Sequence, residues 1–368
     1  MIYTIAIDWL ALYCLCEYNS DTWCGVSGDA STIDAPYPWG YKLEQYGTRQ
    51  FAKLTRVTMP NPIGGRDDFA EVQSAPYQGN AMNRRAVIVR FVNRVLYMPD
   101  FWDLANKFIH DNQFIVQSIS RIDICADFNR FAHMPVLDLI EGFASKKYRH
   151  VGRGVGALYF NHGVAGNPRQ YGVRYTGLSF GTHSSDARVY LYNKSFELMT
   201  QGDKPWIRDL WIANGLNVAA VWRLEISLKS KAAKFMDKDS GEDITITPER
   251  IQSDTWELSR IYHTFRKKLF SFVRNHPNIT NITREPRLPL FDDMPSYNRY
   301  VLRNVSASDR LERMVIKALY NMGDLYRGDI MMRSAEDAKM MADNLAVATD
   351  LSEWYTIHKR YWGKDTHK

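Results

Sequence analysis

The chain has 368 residues, 45% of them hydrophobic and 13% aromatic, with 47 Lys and Arg against 41 Asp and Glu for a net charge of +6. That length supports one large domain or two ordinary ones with real cores, and the mild basic excess suits a polyanionic partner without requiring one. Cys14, Cys16, Cys24 and Cys125 form no evenly spaced framework and no complete zinc set, no apolar run is long enough to span a bilayer, and residues 1–8 lack a basic n-region. A cytoplasmic protein with reduced thiols and no membrane partner is expected.

Taken in order, residues 3–16 read as a β-branched and aromatic strand. Residues 17–62 are rich in Gly, Pro, Ser and Asp, with short strands expected at 40–43 and 51–58. Residues 64–68 read as a turn, since no GxxxxGK pattern accompanies the glycines. An almost uninterrupted apolar strand follows at 86–91. Asp100 then opens a helix whose Trp102, Leu104, Ala105, Phe108 and Ile109 recur at helical spacing. Residues 119–128 alternate strictly, and a second helix is expected over 134–147. Residues 151–175 are glycine-rich and basic, carrying Arg153, Arg169 and Arg174, with one short strand at 157–161. A hairpin follows: a strand at 178–180, a polar turn at 181–187 and a return strand at 188–194. The stretch 195–217 is partly helical, 220–229 is another alternating strand, and from Pro248 the pattern becomes helical, with an apolar stripe from Leu258 to Val273. Residues 276–293 carry prolines and no period, as a linker would. Two more helices are expected through 314–322 and 335–354. The organisation predicted is therefore an α+β body over 1–275, with an N-terminal part at 1–115 and a motif-bearing part at 116–275, then the linker and a helical C-terminal region at 294–368.

Three of the strands share one design. Side chains alternate between the two faces of a strand, so Arg121, Asp123, Cys125 and Asp127 fall opposite Ile122, Ile124 and Ala126. Likewise Arg188, Tyr190, Tyr192 and Lys194 fall opposite Val189 and Leu191, and Arg223 and Glu225 opposite Trp222, Leu224 and Ile226. An antiparallel sheet with helices packed on one face and a polar working face on the other produces this pattern. The working face holds what phosphodiester cleavage by a tyrosine needs. Carboxylates such as Asp123 and Glu225 can hold Mg²⁺ or Mn²⁺, which prefer oxygen ligands. A cation beside a phenol, whose ordinary pKa is about 10, helps it act as phenolate. Arg188 and Lys194 are placed for that by strand alternation. The same basic, aromatic face would also suit a protein that only binds single strands. Carboxylates facing phosphates would repel them, which favours cleavage over binding alone.

The segment 181–194, GTHSSDARVYLYNK, resembles the "GSxxS…RIYDK" signature of the Rep_trans replication initiation factors, which include rolling-circle plasmid initiators and the related relaxases of conjugative elements. Residues 121–127, RIDICAD, look like that family's "RIDIAxDD" strand, and Arg223-Leu224-Glu225 like its "RxE" strand. Residues 7–10, IDWL, are similar to its "iDyLs" start. The order and spacing agree over roughly residues 3–275. The resemblance implies an HUH-endonuclease-like palm that nicks one DNA strand at an origin, leaving a 5′-phosphotyrosyl link and a free 3′-OH. It implies Tyr192 as nucleophile, with Tyr190 as the alternative on the same face, and Lys194 beside it. Asp123, Glu225 and Asp127 are the metal ligands expected for Mg²⁺ or Mn²⁺, and Arg121, Arg188 and Arg223 the DNA contacts. No His-hydrophobe-His is present, Phe128 stands where the family has a second Asp, and Tyr190 stands where it has an arginine. Asp8 is a further carboxylate that alternation does not bring to this face. Origin DNA, duplex and single-stranded, is the expected partner, in a bacterium and on a plasmid, phage or other mobile element. The C-terminal helices are free to recognise duplex, meet a host helicase or form a homodimer.

Overall fold

A computed structural model of the chain describes residues 1–17, 19–21, 23, 39–77, 84–152, 156–161, 174–182, 185–230, 234–237, 243–254, 256–277, 281–292, 294 and 300–302, with the backbone alone at 160, 161, 174, 234–237, 243, 301 and 302. The chain divides into two units, Met1–Leu302 and Arg303–Lys368. The helices expected at 314–322 and 335–354 belong to the second unit and lie outside the described residues, as do Cys24, Arg153 and Arg169.

The first unit is built on strands β1 (Tyr3–Leu15), β2 (Gly40–Leu43), β3 (Phe51–Pro60), β4 (Arg66–Pro76), β5 (Ala86–Phe91), β6 (Ile115–Phe128), β7 (Tyr148–His150), β8 (Gly156–Asn161), β9 (Arg174–Phe180), β10 (Ala187–Asn193) and β11 (Trp222–Lys229). Ten of these, all but β7, form one antiparallel sheet in the order β2-β3-β4-β5-β1-β6-β11-β10-β9-β8. The remaining strands β12 (Lys234–Asp237), β13 (Asp243–Thr245), β14 (Phe272–Arg274) and β15 (Tyr300–Leu302) make two small sheets, β13-β12-β15 and β14-β7. The helices are α1 (Phe101–Asp111), α2 (Val136–Ala144), α3 (Lys194–Gln201), α4 (Pro205–Ala213), α5 (Pro248–Ser253) and α6 (Glu257–Leu269). Among the described residues no helix is long and apolar enough to cross a membrane.

One face of the sheet carries the core. Ile122, Ile124 and Ala126 of β6, Val189 and Leu191 of β10, and Leu224, Ile226 and Leu228 of β11 are buried there. They pack with Phe101, Ala105 and Phe108 of α1, Leu139 and Ile140 of α2, and Ile261, Tyr262 and Phe265 of α6. This is the antiparallel α+β arrangement that the alternation predicts. A second, smaller cluster, Leu198 of α3 with Ile207 and Trp211 of α4, Leu216 and Val221, packs with Tyr97 over the far end of the other face.

Three expectations are corrected. The turn expected at 64–68 gives way at Arg66 to β4, which runs on to Pro76; Phe69, Ala70, Val72 and Ser74 are all buried, and the polar residues between them hide the strand. The stretch 276–293 is not a loose linker where it is described. Leu290, Phe291 and Met294 are buried in the main core, and β15 pairs with β12, so the first unit runs to Leu302 rather than ending near 275. The strand expected at 188–194 stops at Asn193, whose side chain accepts a hydrogen bond of 2.9 Å from the Phe196 N–H and so caps α3. Lys194 is thus the first residue of a helix and not the last of a strand.

Candidate active site

The registers across β10, β11 and β6 set the site. Tyr192 lies opposite Arg223 and Tyr190 opposite Glu225 on β11. On the other side of β11, Arg223 lies opposite Asp127, Glu225 opposite Cys125, and Ser227 opposite Asp123. Every one of these side chains projects from the face away from the main core. The sequence expectations for Tyr190, Tyr192, Asp123, Glu225, Arg121 and Arg188 thus converge on one patch of sheet.

The Tyr192 hydroxyl donates to Glu225 Oε2 at 3.1 Å and accepts from Lys194 Nζ at 3.4 Å. Lys194 reaches it from the first turn of α3 and is also ion-paired to Glu197 at 2.6 Å, one turn along the same helix. The cap at Asn193 therefore does for Lys194 what strand alternation was expected to do. Tyr192 is 8% exposed, and burial, then the Glu225 charge, hold its phenol well above the ordinary range. It will not ionise unaided, so any nucleophilic role needs a base. The carboxyl it touches is Glu225, which burial, then the charges of Asp123 and Asp8, push up to about 7. A phenol touching a carboxylate tuned near neutrality and an ammonium is the layout of an activated nucleophile.

Tyr190 stacks on Tyr192, ring centroids 4.6 Å apart, and meets Tyr159 of β8 edge to face at 5.0 Å. Its phenol is raised to about 12, chiefly by burial and then by Tyr159. Tyr190 lines a cleft of about 60 Å³ together with Arg121, Arg188, Lys229, Glu225, Ser227, Thr182 and Ser185. Three cations in a small polar cleft beside the two tyrosines make it a natural seat for a phosphate.

Arg223 and Asp127 are placed differently from the roles expected of them. The Arg223 side chain is 0% exposed and that of Asp127 is 1% exposed. Arg223 donates to both Asp127 oxygens at 2.7 Å, to Asp8 Oδ1, and to the Tyr97 hydroxyl at 3.1 Å. Asp127 also accepts from the Trp211 indole N–H of α4 at 2.7 Å. Burial alone would weaken the guanidinium charge, but Asp127 and Asp8 override it and fix the cation firmly. As placed, neither residue faces the cleft: Arg223 is a buried strut under the site and not a phosphate contact, and Asp127 holds Arg223 and not a metal.

Asp8 is the residue that alternation misplaced. The β1–β6 register slips between Ile7 and Trp9, Ile7 lying opposite Ile124 and Trp9 opposite Asp123, so Asp8 is the extra residue of a β-bulge. The bulge turns Asp8 toward Arg223, and Asn93 braces it through two bonds to the Asp8 backbone and side chain at 2.9 and 3.0 Å. Burial would raise the Asp8 carboxyl, but Arg223 and Lys194 hold it well below the carboxylate range. A signal for this was present: the β1 residues that join the main core run Ile7, Leu10, Leu12, Cys14, with one step of three among steps of two. The supporting Tyr97 comes from the turn at 95–97, Trp211 from α4 and Glu197 from α3, where strand alternation carries no such signal.

Asp123 is held by Arg121, whose Nε donates to Oδ1 at 2.9 Å and whose Nη2 donates to Oδ2. Burial nonetheless raises its carboxyl. Among the described residues no group of three or more His, Cys, Asp or Glu could hold a metal ion by itself. Asp123 raises the cost of charge at Glu225, and two neighbouring carboxylates of this kind are the donor set an ion of the Mg²⁺ type takes, bound through one or two carboxylates and completed by substrate phosphate.

No protein-family model matches the chain, and no curated protein matches it. A solved structure of a rolling circle replication initiator protein from Geobacillus stearothermophilus aligns with 79% of this chain and 94% of its own length, at 14% identity and a TM-score of 0.43. A score at that level establishes neither fold nor function.

Proposed function

We propose that this protein is a replication initiator that nicks one strand of DNA through a tyrosine of β10. The observation that carries the reading is the Tyr192 hydroxyl held between Glu225 and Lys194. In the step proposed, the Tyr192 oxygen attacks a backbone phosphorus while its proton passes to Glu225. The bond from phosphorus to the 3′ oxygen breaks, and that oxygen leaves as a free 3′-OH by taking a proton from solvent water. The 5′ side of the break stays linked to Tyr192 as a phosphotyrosine. Lys194 offsets the charge on the phenolate, and Arg121, Arg188 and Lys229 line the cleft where the phosphate would lie. Asp123 and Glu225 are the residues that would hold Mg²⁺ or Mn²⁺, which when bound would draw charge from a phosphate oxygen. A conjugative relaxase would use the same groups in the same way.

A second reading has its own observation. Tyr190, not the buried Tyr192, lines the open cleft, so Tyr190 is the alternative nucleophile. The test is incubation of the full chain with Mg²⁺ and supercoiled DNA carrying its own gene and flanking sequence. Wild type is expected to give nicked circles and a protein–DNA adduct that survives denaturation, and Tyr192→Phe neither. An adduct kept by Tyr192→Phe and lost by Tyr190→Phe moves the nucleophile. Binding without any adduct, under either metal, makes the protein a single-strand binding module instead.

A further inference from the structure

The bulge at Asp8 has a second effect. Without the extra residue Asp8 would take the place opposite Asp123, and Trp9 would fall opposite Ile122 on the core side. With it, Trp9 stands on the working face. There it is flanked by two arginines from the neighbouring strands. Ala11, two residues along β1, lies opposite both Arg90 of β5 and Arg121 of β6. Its methyl is too small to fill the space between them, and both guanidinium carbons lean over the Trp9 ring, each 4.6 Å from its centroid.

Each arginine is also gripped at its edge by an acid, Arg90 by Glu71 and Arg121 by Asp123. A guanidinium pinned by a carboxylate at its rim and an indole on its face has lost the freedom that usually weakens surface arginines. Both side chains remain open to solvent, Arg90 at 29% and Arg121 at 39%. Stability of the core does not explain the indole. Its N–H is buried with no hydrogen-bond partner among the described residues, and a phenylalanine would fill the place without that cost. Trp has the strongest attraction for cations of any aromatic side chain, which is what a stack carrying two guanidinium groups requires.

We propose that the Arg90–Trp9–Arg121 stack is a binding subsite for single-stranded DNA, with Trp9 as the positioning residue that holds two flat cations ready for bases and phosphates. This rests on the nicking function proposed above and extends it. Unpaired bases stack on guanidinium planes as they do on aromatic rings, and phosphates meet the guanidinium edges. The subsite is continuous with the cleft, since Arg121 belongs to both, and Lys229 lies opposite Arg121 on the next strand. Along the register Trp9–Asp123–Ser227–Arg188 the subsite sits three strands from β10, about 14 Å at ordinary strand spacing. A strand whose scissile phosphate lies in the cleft would cross the stack a few nucleotides away.

The test uses the full-length protein and a fluorescein-labelled, mixed-sequence single-stranded DNA 20-mer, read by anisotropy over a range of salt, with the matching duplex as a second probe. Trp9→Ala is expected to weaken single-strand binding about tenfold or more and Trp9→Phe much less. Arg90→Gln, at an exposed side chain, is expected to lower affinity and to reduce the salt slope by about 1. Thermal unfolding of each variant separates lost affinity from lost fold. Unchanged affinity in both Trp9→Ala and Arg90→Gln overturns the subsite, as does wild type that fails to bind the single strand or equal losses on the duplex, whose bases are not available to stack. Adduct formation is read separately: wild type that forms no adduct, with affinity still dependent on Trp9, removes the nicking reaction and keeps the subsite.

Discussion

Replacing Arg223 with Met tests the claim that this residue is a buried strut. Arg223 makes two bonds to Asp127, one to Asp8 and one to Tyr97 from a side chain with no exposed surface. Met keeps much of the volume and removes the charge, so two carboxylates are left between the sheet and the elements that cover it, with one indole N–H and the Asn93 and Tyr97 donors to share. Breaking a buried pair in this way costs about 3–5 kcal/mol. At about 2 °C per kcal/mol for a body of this size, the melting temperature should fall by roughly 6–10 °C. The loss should also depend on pH in a definite direction. Asp8 is held below its ordinary pKa by the cation, so its contribution is present above about 3.8 and disappears as pH falls through the lower folded value. Without Arg223 the burial that raises the Asp8 carboxyl is no longer offset by that cation, so the deficit should be largest at pH 7 and shrink toward pH 4.5. The measurement is the melting temperature of wild type and Arg223→Met at both pH values. A deficit under about 1 kcal/mol, or one of equal size at both pH values, refutes the strut.

Three further outcomes are expected. In metal-free protein the Glu225 carboxyl sits at about 7 in the fold against about 4.3 in the unfolded chain; its stabilisation is complete below the unfolded value and declines as pH rises to 7, so Glu225→Gln should flatten the fall in unfolding midpoint between pH 4.5 and 7.5 measured in EDTA. Gly177 lies opposite Tyr192, and a Cβ there would meet the Leu191 carbonyl at 2.7 Å and the Tyr192 Cβ at 3.2 Å; Gly177→Ala should displace β10, costing about 1–3 kcal/mol in thermal unfolding and reducing adduct formation more than DNA binding. Chelation should stop the proposed nicking and added Mg²⁺ or Mn²⁺ restore it, with Asp123→Asn raising the metal concentration needed in the same gel assay.

The parts of this site that follow period-two alternation could be read from the sequence. Arg121, Asp123, Tyr190, Tyr192 and Glu225 share a face because three long strands keep strict register. What alternation could not say is which members of that face are buried under it. Arg223 and Glu225 are two residues apart on one strand, yet one is sealed beneath Tyr97 and Trp211 while the other touches Tyr192. The difference lies in α4 and the turn at 95–97, which come from elsewhere in the chain. Asp8 and Trp9 were lost to a single inserted residue, which inverts the pattern on one side of it. Lys194 was assigned to the right neighbour for the wrong reason: its reach to Tyr192 depends on a helix cap, a local signal that the strand pattern overrode. The strand β4 failed by composition, since Asp67, Asp68, Glu71 and Gln73 diluted its apolar face.

The central position of β1 has a consequence for synthesis. This first strand lies between β5 and β6, and its Asp8 is joined to Arg223, 215 residues later. Contacts of that sequence separation close slowly, and none of them can exist until β11 has left the ribosome. A nascent chain that ends before Trp222 carries both tyrosines and lacks Glu225, Arg223 and the strand that aligns them. The Tyr192 phenol therefore meets Glu225 only after at least 225 residues have been made, so the order of synthesis delays the pairing until the sheet can close around it.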